Sequence, residues 1–162
     1  MSETRCQFRK KMKIMILGVG NILMKDEGVG VRVIEYMKNL NLPKEVELMD
    51  GGTSTALLFP YFTEVDHLIV IDAVKGKMPP GSVYRLKPED LLLSEEDLIS
   101  VHNLGLIDAL YMAAQIGKQP KTVTIFGIEP KEIDWGMDLS PEIKALLPRI
   151  VKLVLQEINR LL

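Results

Sequence analysis

Few residues in this chain can do chemistry. It has two histidines, His67 and His102, and one cysteine, Cys6, so neither an HExxH zinc motif nor a thiolate metal cluster can be built. A lone cysteine also forms no internal disulfide, which fits a reducing, cytoplasmic setting. No G-x-S-x-G nucleophile elbow and no G-x-x-x-x-G-K-[ST] phosphate loop occurs. Gly18-Val19-Gly20 invites a dinucleotide reading, but the third glycine of G-x-G-x-x-G would fall on Leu23. What remains is a set of carboxylates and one histidine that topology must bring together.

Asp26 and Glu27 lie where the first helix begins. Asp26 reads as its N-cap, and Glu27 on its own would read as a first-turn carboxylate opposing the helix dipole. Asp72 is different, because it ends the most apolar run in the chain, Leu68 to Ile71. A carboxylate in that position must be paired, hydrogen-bonded or bound to a cation. His102 precedes a helical pattern, whereas His67 opens a strand beside Asp66 and reads as structural.

The elements that must position these groups follow from periodicity and breakers. Strands are predicted at 13–19, 45–49, 67–71, 82–86 and 122–126, the fourth as an edge strand. Helices are predicted from Glu27 to before Pro43, over 53–63, from Leu104 to Gly117, and from the Ser140-Pro141 start to the C-terminus. The order β-α-β-α-β-β-α-β-α predicts a three-layer α/β sandwich, a mostly parallel (mixed) central sheet with helices on both faces. Ligands of such sheets bind at the carboxyl ends of the strands. That rule selects Gly18 to Glu27, Asp50 to Thr53, Asp72, and Gly127 to Glu129. Glu27, Asp72 and His102 map to one rim, and two carboxylates with an imidazole make a partial site for a divalent metal.

Bulk properties set the frame. The chain has 162 residues, 47% of them hydrophobic and 26% charged, which suits one globular domain. A net charge of −2 gives no pull toward nucleic acid, and no apolar run approaches the ~20 residues that span a bilayer. Residues 1–12 form a basic arm, with Arg5, Arg9, Lys10 and Lys11 against Glu3, and Met12 is an alternative start. Residues 13–162 are expected to form the single domain.

The chain resembles the hydrogenase maturation endopeptidases. Residues 16–30, ILGVGNILMKDEGVG, are similar to the family's opening G-x-G-N-x-L-x-x-D-[DE]-G-x-G motif. Further matching blocks follow in family order: Asp50-Gly51-Gly52-Thr53, Val70 to Ala73 with Pro80-Gly81, Ser100 to His102, and Gly127 to Pro130. The resemblance implies an enzyme that removes a C-terminal peptide from the large-subunit precursor of a nickel-iron hydrogenase once nickel is in place. It implies Glu27, Asp72 and His102 as the metal-contacting and catalytic trio. Asp50, Gly51, Gly52 and Thr53 are assigned to substrate binding. Nickel would arrive on the substrate, no organic cofactor is needed, and a cytoplasmic monomer is expected. Two alternatives stand beside this reading: a hydrolase of another peptide or amide with a resident metal, and a nucleotide-binding module using Gly18-Val19-Gly20.

Overall fold

The computed structural model describes residues 10–93, 98, 100 and 102–162. Most of the basic arm, including Cys6, and Val101 of the Ser100–His102 block therefore lie outside the described residues. Five strands, β1 (Ile14–Val19), β2 (Val46–Gly52), β3 (His67–Ala73), β4 (Val83–Leu86) and β5 (Thr122–Ile128), form one sheet in the order β2-β1-β3-β5-β4. β2, β1, β3 and β5 run parallel, and β4 closes one edge antiparallel to β5. Among the described residues five helices accompany them: α1 (Val29–Met37), α2 (Phe59–Phe62), α3 (Pro88–Leu93), α4 (Asn103–Gln115) and α5 (Pro141–Leu161). The mixed sheet with helices on both faces is the architecture expected. None of the described helices is long and apolar enough to cross a membrane.

Alternation along each strand divides the core in two. Ile14, Ile16, Ile69, Ile71, Phe126 and Ile128 pack with Val33 and Met37 of α1 and Ile150 and Val154 of α5. Met15, Leu17, Leu68, Val70 and Ile125 face the other way, onto Phe62 of α2 and Leu106, Ala109 and Ala113 of α4. Leu68, Val70 and Asp72 share a parity. The period of the strand thus aims Asp72 at the layer that contains α4.

Four expectations are corrected. The helix predicted from Glu27 is split: Lys25–Gly28 forms a 3-10 turn, and α1 begins only at Val29. Asp26 consequently caps no helix, since neither the turn nor α1 has a side-chain cap. β2 continues through Asp50, Gly51 and Gly52 instead of stopping at Met49, because Asp50 pairs with Gly18 and Gly52 with Val19, Gly51 being accommodated by a shift of register between them. α3, whose first turn holds Glu89 and Asp90, was absent from the predicted order.

Candidate functional site

The glycine-rich block following β1 is shaped by close packing. A Cβ on Gly30 would stand 2.1 Å from the carbonyl oxygen of Ile71 and 2.4 Å from that of Val19. One on Gly18 would stand 2.3 Å from the Gly30 carbonyl oxygen. Gly20 has φ +146° and would place a Cβ 2.0 Å from the carbonyl oxygen of Glu27. Only hydrogen fits in these gaps. The glycines therefore bring the 3-10 turn carrying Glu27 hard against the ends of β1 and β3, one residue before Asp72. Their own backbone accounts for them without a bound phosphate.

Asp26 holds the same turn from the other side. It is fully buried, and its Oδ2 accepts hydrogen bonds from the Lys131 N–H (3.0 Å), the Glu132 N–H (2.8 Å) and the Ser140 hydroxyl (2.8 Å). Its Oδ1 accepts the Ser140 N–H at 2.7 Å. Asp26 is thus the clamp between the Glu27 turn and the 131–140 loop.

Asp72 and His102 come together where β3 ends and α4 begins. Asp72 is 3% exposed and His102 7%, and His102 occupies the N-cap position of α4. His102 Nδ1 lies 3.6 Å from Asp72 Oδ1, beyond hydrogen-bond distance. The Ser100 hydroxyl donates to Asp72 Oδ2 and accepts the His102 N–H at 3.2 Å, linking the two residues. Thr55, buried on the 3-10 turn Thr55–Leu58, donates its hydroxyl to the His102 carbonyl at 3.1 Å. Asp72 Oδ1 is left buried with no hydrogen-bond partner. An orphaned buried acceptor costs about 1–3 kcal/mol, more when charged, and a cation or a donor at this oxygen would relieve that cost.

The electrostatics agree with that geometry. Burial pushes the Asp72 carboxyl above its ordinary value, opposed in part by His102 and Ser100. Asp72 raises the His102 imidazole, against the opposing effect of its burial, and Glu27 adds to the rise. Glu27 is therefore within electrostatic reach of the pair. Only Asp72 and His102 stand side by side: among the described residues no group of three His, Cys, Asp or Glu is arranged to hold a metal ion. Imidazole nitrogen with carboxylate oxygens is nonetheless a donor set suited to a divalent transition metal, and Asp72 Oδ1 supplies the free acceptor.

The remaining residues selected from the sequence lie on the same edge. Asp50 pairs in register with Gly18, and its Oδ1 accepts the Gly52 N–H at 2.9 Å. Gly52 takes φ +51° with open space around it, and its carbonyl accepts the Gly20 N–H at 2.9 Å. Thr53 is exposed beside them. Glu129 serves the scaffold, its Oε2 accepting the Gly76 N–H (2.7 Å) and the Tyr84 hydroxyl (2.6 Å). His67 is structural as expected, its Nδ1 2.8 Å from the Thr122 hydroxyl. A cavity of about 720 Å³ between β4, β5 and α4 is lined by Arg85, Tyr111 and Thr122, at the opposite end of β5 from this edge.

Comparisons with known proteins place this geometry in context. Residues 31–157 match the family model for hydrogenase maturation proteases, a span that begins just after the glycine-rich block. The hydrogenase 2 maturation protease of Escherichia coli is 37% identical over 146 residues, covering 89% of each protein. The hydrogenase expression/formation protein HupD of Thiocapsa roseopersicina is 34% identical over 152 residues, covering 91% of this chain and 68% of that protein. Among solved structures, the hydrogenase maturating endopeptidase HybD from Escherichia coli superposes with a TM-score of 0.83 at 36% identity, covering 92% of this chain and 93% of the other. The [NiFe] hydrogenase maturation protease HybD from Thermococcus kodakarensis gives 0.75 at 29% identity, over 90% of this chain and 98% of its own.

Proposed function

The chain belongs to the hydrogenase maturation protease family, and from that premise we propose that it removes the C-terminal extension of a nickel-iron hydrogenase large-subunit precursor after nickel insertion. It is a protease that processes a hydrogenase precursor. The finer reading assigns Glu27, Asp72 and His102 to the nickel that the precursor carries. The observation that carries it is Asp72 Oδ1, buried, without a partner and 3.6 Å from the His102 imidazole at the carboxyl edge of the sheet.

In this reading nickel is part of the substrate, and it supplies a Lewis acid near the scissile bond. The chain's own residues do the rest. Asp72, held at Oδ2 by Ser100, presents Oδ1, and His102, fixed through its main chain by Ser100 and Thr55, presents its ring nitrogen. Glu27 approaches from the turn fixed by Gly20 and Gly30. Asp50, Gly51 and Gly52 at the end of the outer strand, with Thr53 just after it, are assigned to binding the extension. The proposal takes the enzyme as a cytoplasmic monomer needing no organic cofactor.

The test is incubation with nickel-loaded and nickel-free precursor, followed by intact mass measurement. Only the loaded precursor should lose the mass of its extension, and His102→Ala, Asp72→Ala and Glu27→Ala should each stop the reaction with circular dichroism unchanged. Equal cleavage of both precursors would overturn the nickel reading, and a normal rate in His102→Ala would overturn the site.

A further inference from the structure

The loop that Asp26 clamps displays apolar side chains where a soluble surface would normally carry polar ones. Trp135, the only tryptophan in the chain, is 76% exposed, and Leu23, Ile133 and Met137 are exposed as well. The display is rigid. The Lys25 N–H donates to the Gly136 carbonyl at 2.9 Å, and the Gly136 N–H to the Leu23 carbonyl at 2.9 Å. The Asp26 N–H donates to the Glu132 carbonyl at 3.1 Å, and the Asp26 carboxylate returns two bonds to this loop and two to Ser140. A fully buried carboxylate is an expensive fastener for a loop with no task.

The cations around the loop are already engaged within the chain. Lys25 pairs with Glu132 and Lys131 with Glu142, while Arg32 donates to the Met137 carbonyl (2.6 Å) and to Glu35 (2.9 Å). What the loop offers outward is therefore a set of apolar and aromatic side chains flanked by the exposed carboxylates of Asp134 and Asp138. Tryptophan is among the side chains enriched at the energetic centres of protein interfaces.

The loop's position identifies what covers it. Asp26 and Glu27 are consecutive residues of one 3-10 turn, so the apolar loop and the candidate site share a single support. A protease acting on a protein must be covered by that protein around its site. We propose that Leu23, Ile133, Trp135 and Met137 form the docking surface for the hydrogenase precursor, with Trp135 entering an apolar recess on it. The inference rests on the function proposed above, and names the surface by which that substrate is gripped away from the scissile bond.

The single tryptophan supplies a direct probe. Enzyme carrying 5-fluorotryptophan has one fluorine resonance, and unlabelled nickel-loaded precursor should shift or broaden it at stoichiometric addition. The His102→Ala background, in which turnover is expected to stop, holds the complex for observation. Trp135→Ala should raise KM for the precursor about 30-fold, the effect of losing a hot spot of ~2 kcal/mol, with kcat within about twofold. Because the side chain is exposed, the melting temperature should stay put. Trp135→Phe should fall between the two. Tyr61→Ala, which removes an exposed aromatic from α2, should leave KM unchanged. An unmoved resonance or an unchanged KM in Trp135→Ala, while the unmodified enzyme still cleaves, overturns the docking surface and leaves the function standing. A moved resonance in the His102→Ala background, with no cleavage of the same precursor by the unmodified enzyme, supports the docking surface and overturns the function. An enzyme dimer that dissociates on Trp135→Ala would give the face to a second copy and overturn the proposal.

Discussion

Asp26→Asn isolates the clamp that joins the Glu27 turn to the Trp135 loop. The substitution is nearly isosteric, so no cavity opens. It removes the charge and one of two acceptor oxygens. Oδ2 accepts three hydrogen bonds and Oδ1 one, so the amide's single oxygen should take the Oδ2 place. Its NH2 then meets the Ser140 N–H, donor against donor. One charge-assisted hydrogen bond, worth ~1.5–3 kcal/mol, is lost, and the Ser140 N–H is left buried and unpaired at a cost within ~1–3 kcal/mol. These overlap, and burying a neutral amide is easier than burying a carboxylate, so the expected net loss is about 3 kcal/mol.

Urea denaturation should show that loss as a lower midpoint with an unchanged slope. Thermal unfolding should shift downward by about 6–12 °C for a domain of this size. Amide exchange adds location: the protons of Lys131, Glu132 and Ser140 should lose protection while those of β1 and β3 keep theirs to the global limit. A stability loss below about 1 kcal/mol, or a loss of protection spread evenly over the sheet, would refute the account of Asp26 as a local clamp.

Other positions give sharper single readouts. Gly30→Ala drives a Cβ to 2.1 Å from the Ile71 carbonyl oxygen, and because that neighbour is backbone it should cost ~3 kcal/mol or more in thermal denaturation. Thr55→Val keeps the shape but removes the hydroxyl that holds the His102 carbonyl, so cleavage should fall several-fold with a stability loss of only about 1 kcal/mol. Burial raises Glu157, yet Arg85, Thr124 and Arg160 outweigh it and hold the carboxyl below its ordinary value. Its contribution is therefore complete above the unfolded value near ~4.3 and drains away as pH falls through the lower folded value. Glu157→Gln should lower stability at neutral pH and flatten the acid limb in denaturation scans, and an unchanged acid limb would contradict the assignment.

The strands were legible because their signal is local. The apolar run Leu68–Ile71 ending in an acid marks both a buried strand and its carboxyl end, and period-two alternation then aims Asp72 at the layer holding α4. His102 falls at the start of that helix for an equally local reason, so two of the three proposed residues could be brought together from sequence. Asp26 could not be read in this way. Adjacency to a helix suggests a cap, whereas its real partners, Lys131, Glu132 and Ser140, lie more than a hundred residues away. Thr55 carries no signal in a single chain, and Ser100 is marked only as part of the Ser100–His102 block, since a serine or threonine looks alike whether it faces solvent or fixes a histidine. The glycines are the most instructive case. Gly18-Val19-Gly20 after a strand resembles a phosphate loop because both need backbone to come close to something. Sequence reports the need for closeness and leaves out the neighbour. Here the neighbours are the Glu27, Gly30, Val19 and Ile71 backbones, so the same spacing that could cradle an anion instead presses a carboxylate turn onto the strand that ends in Asp72.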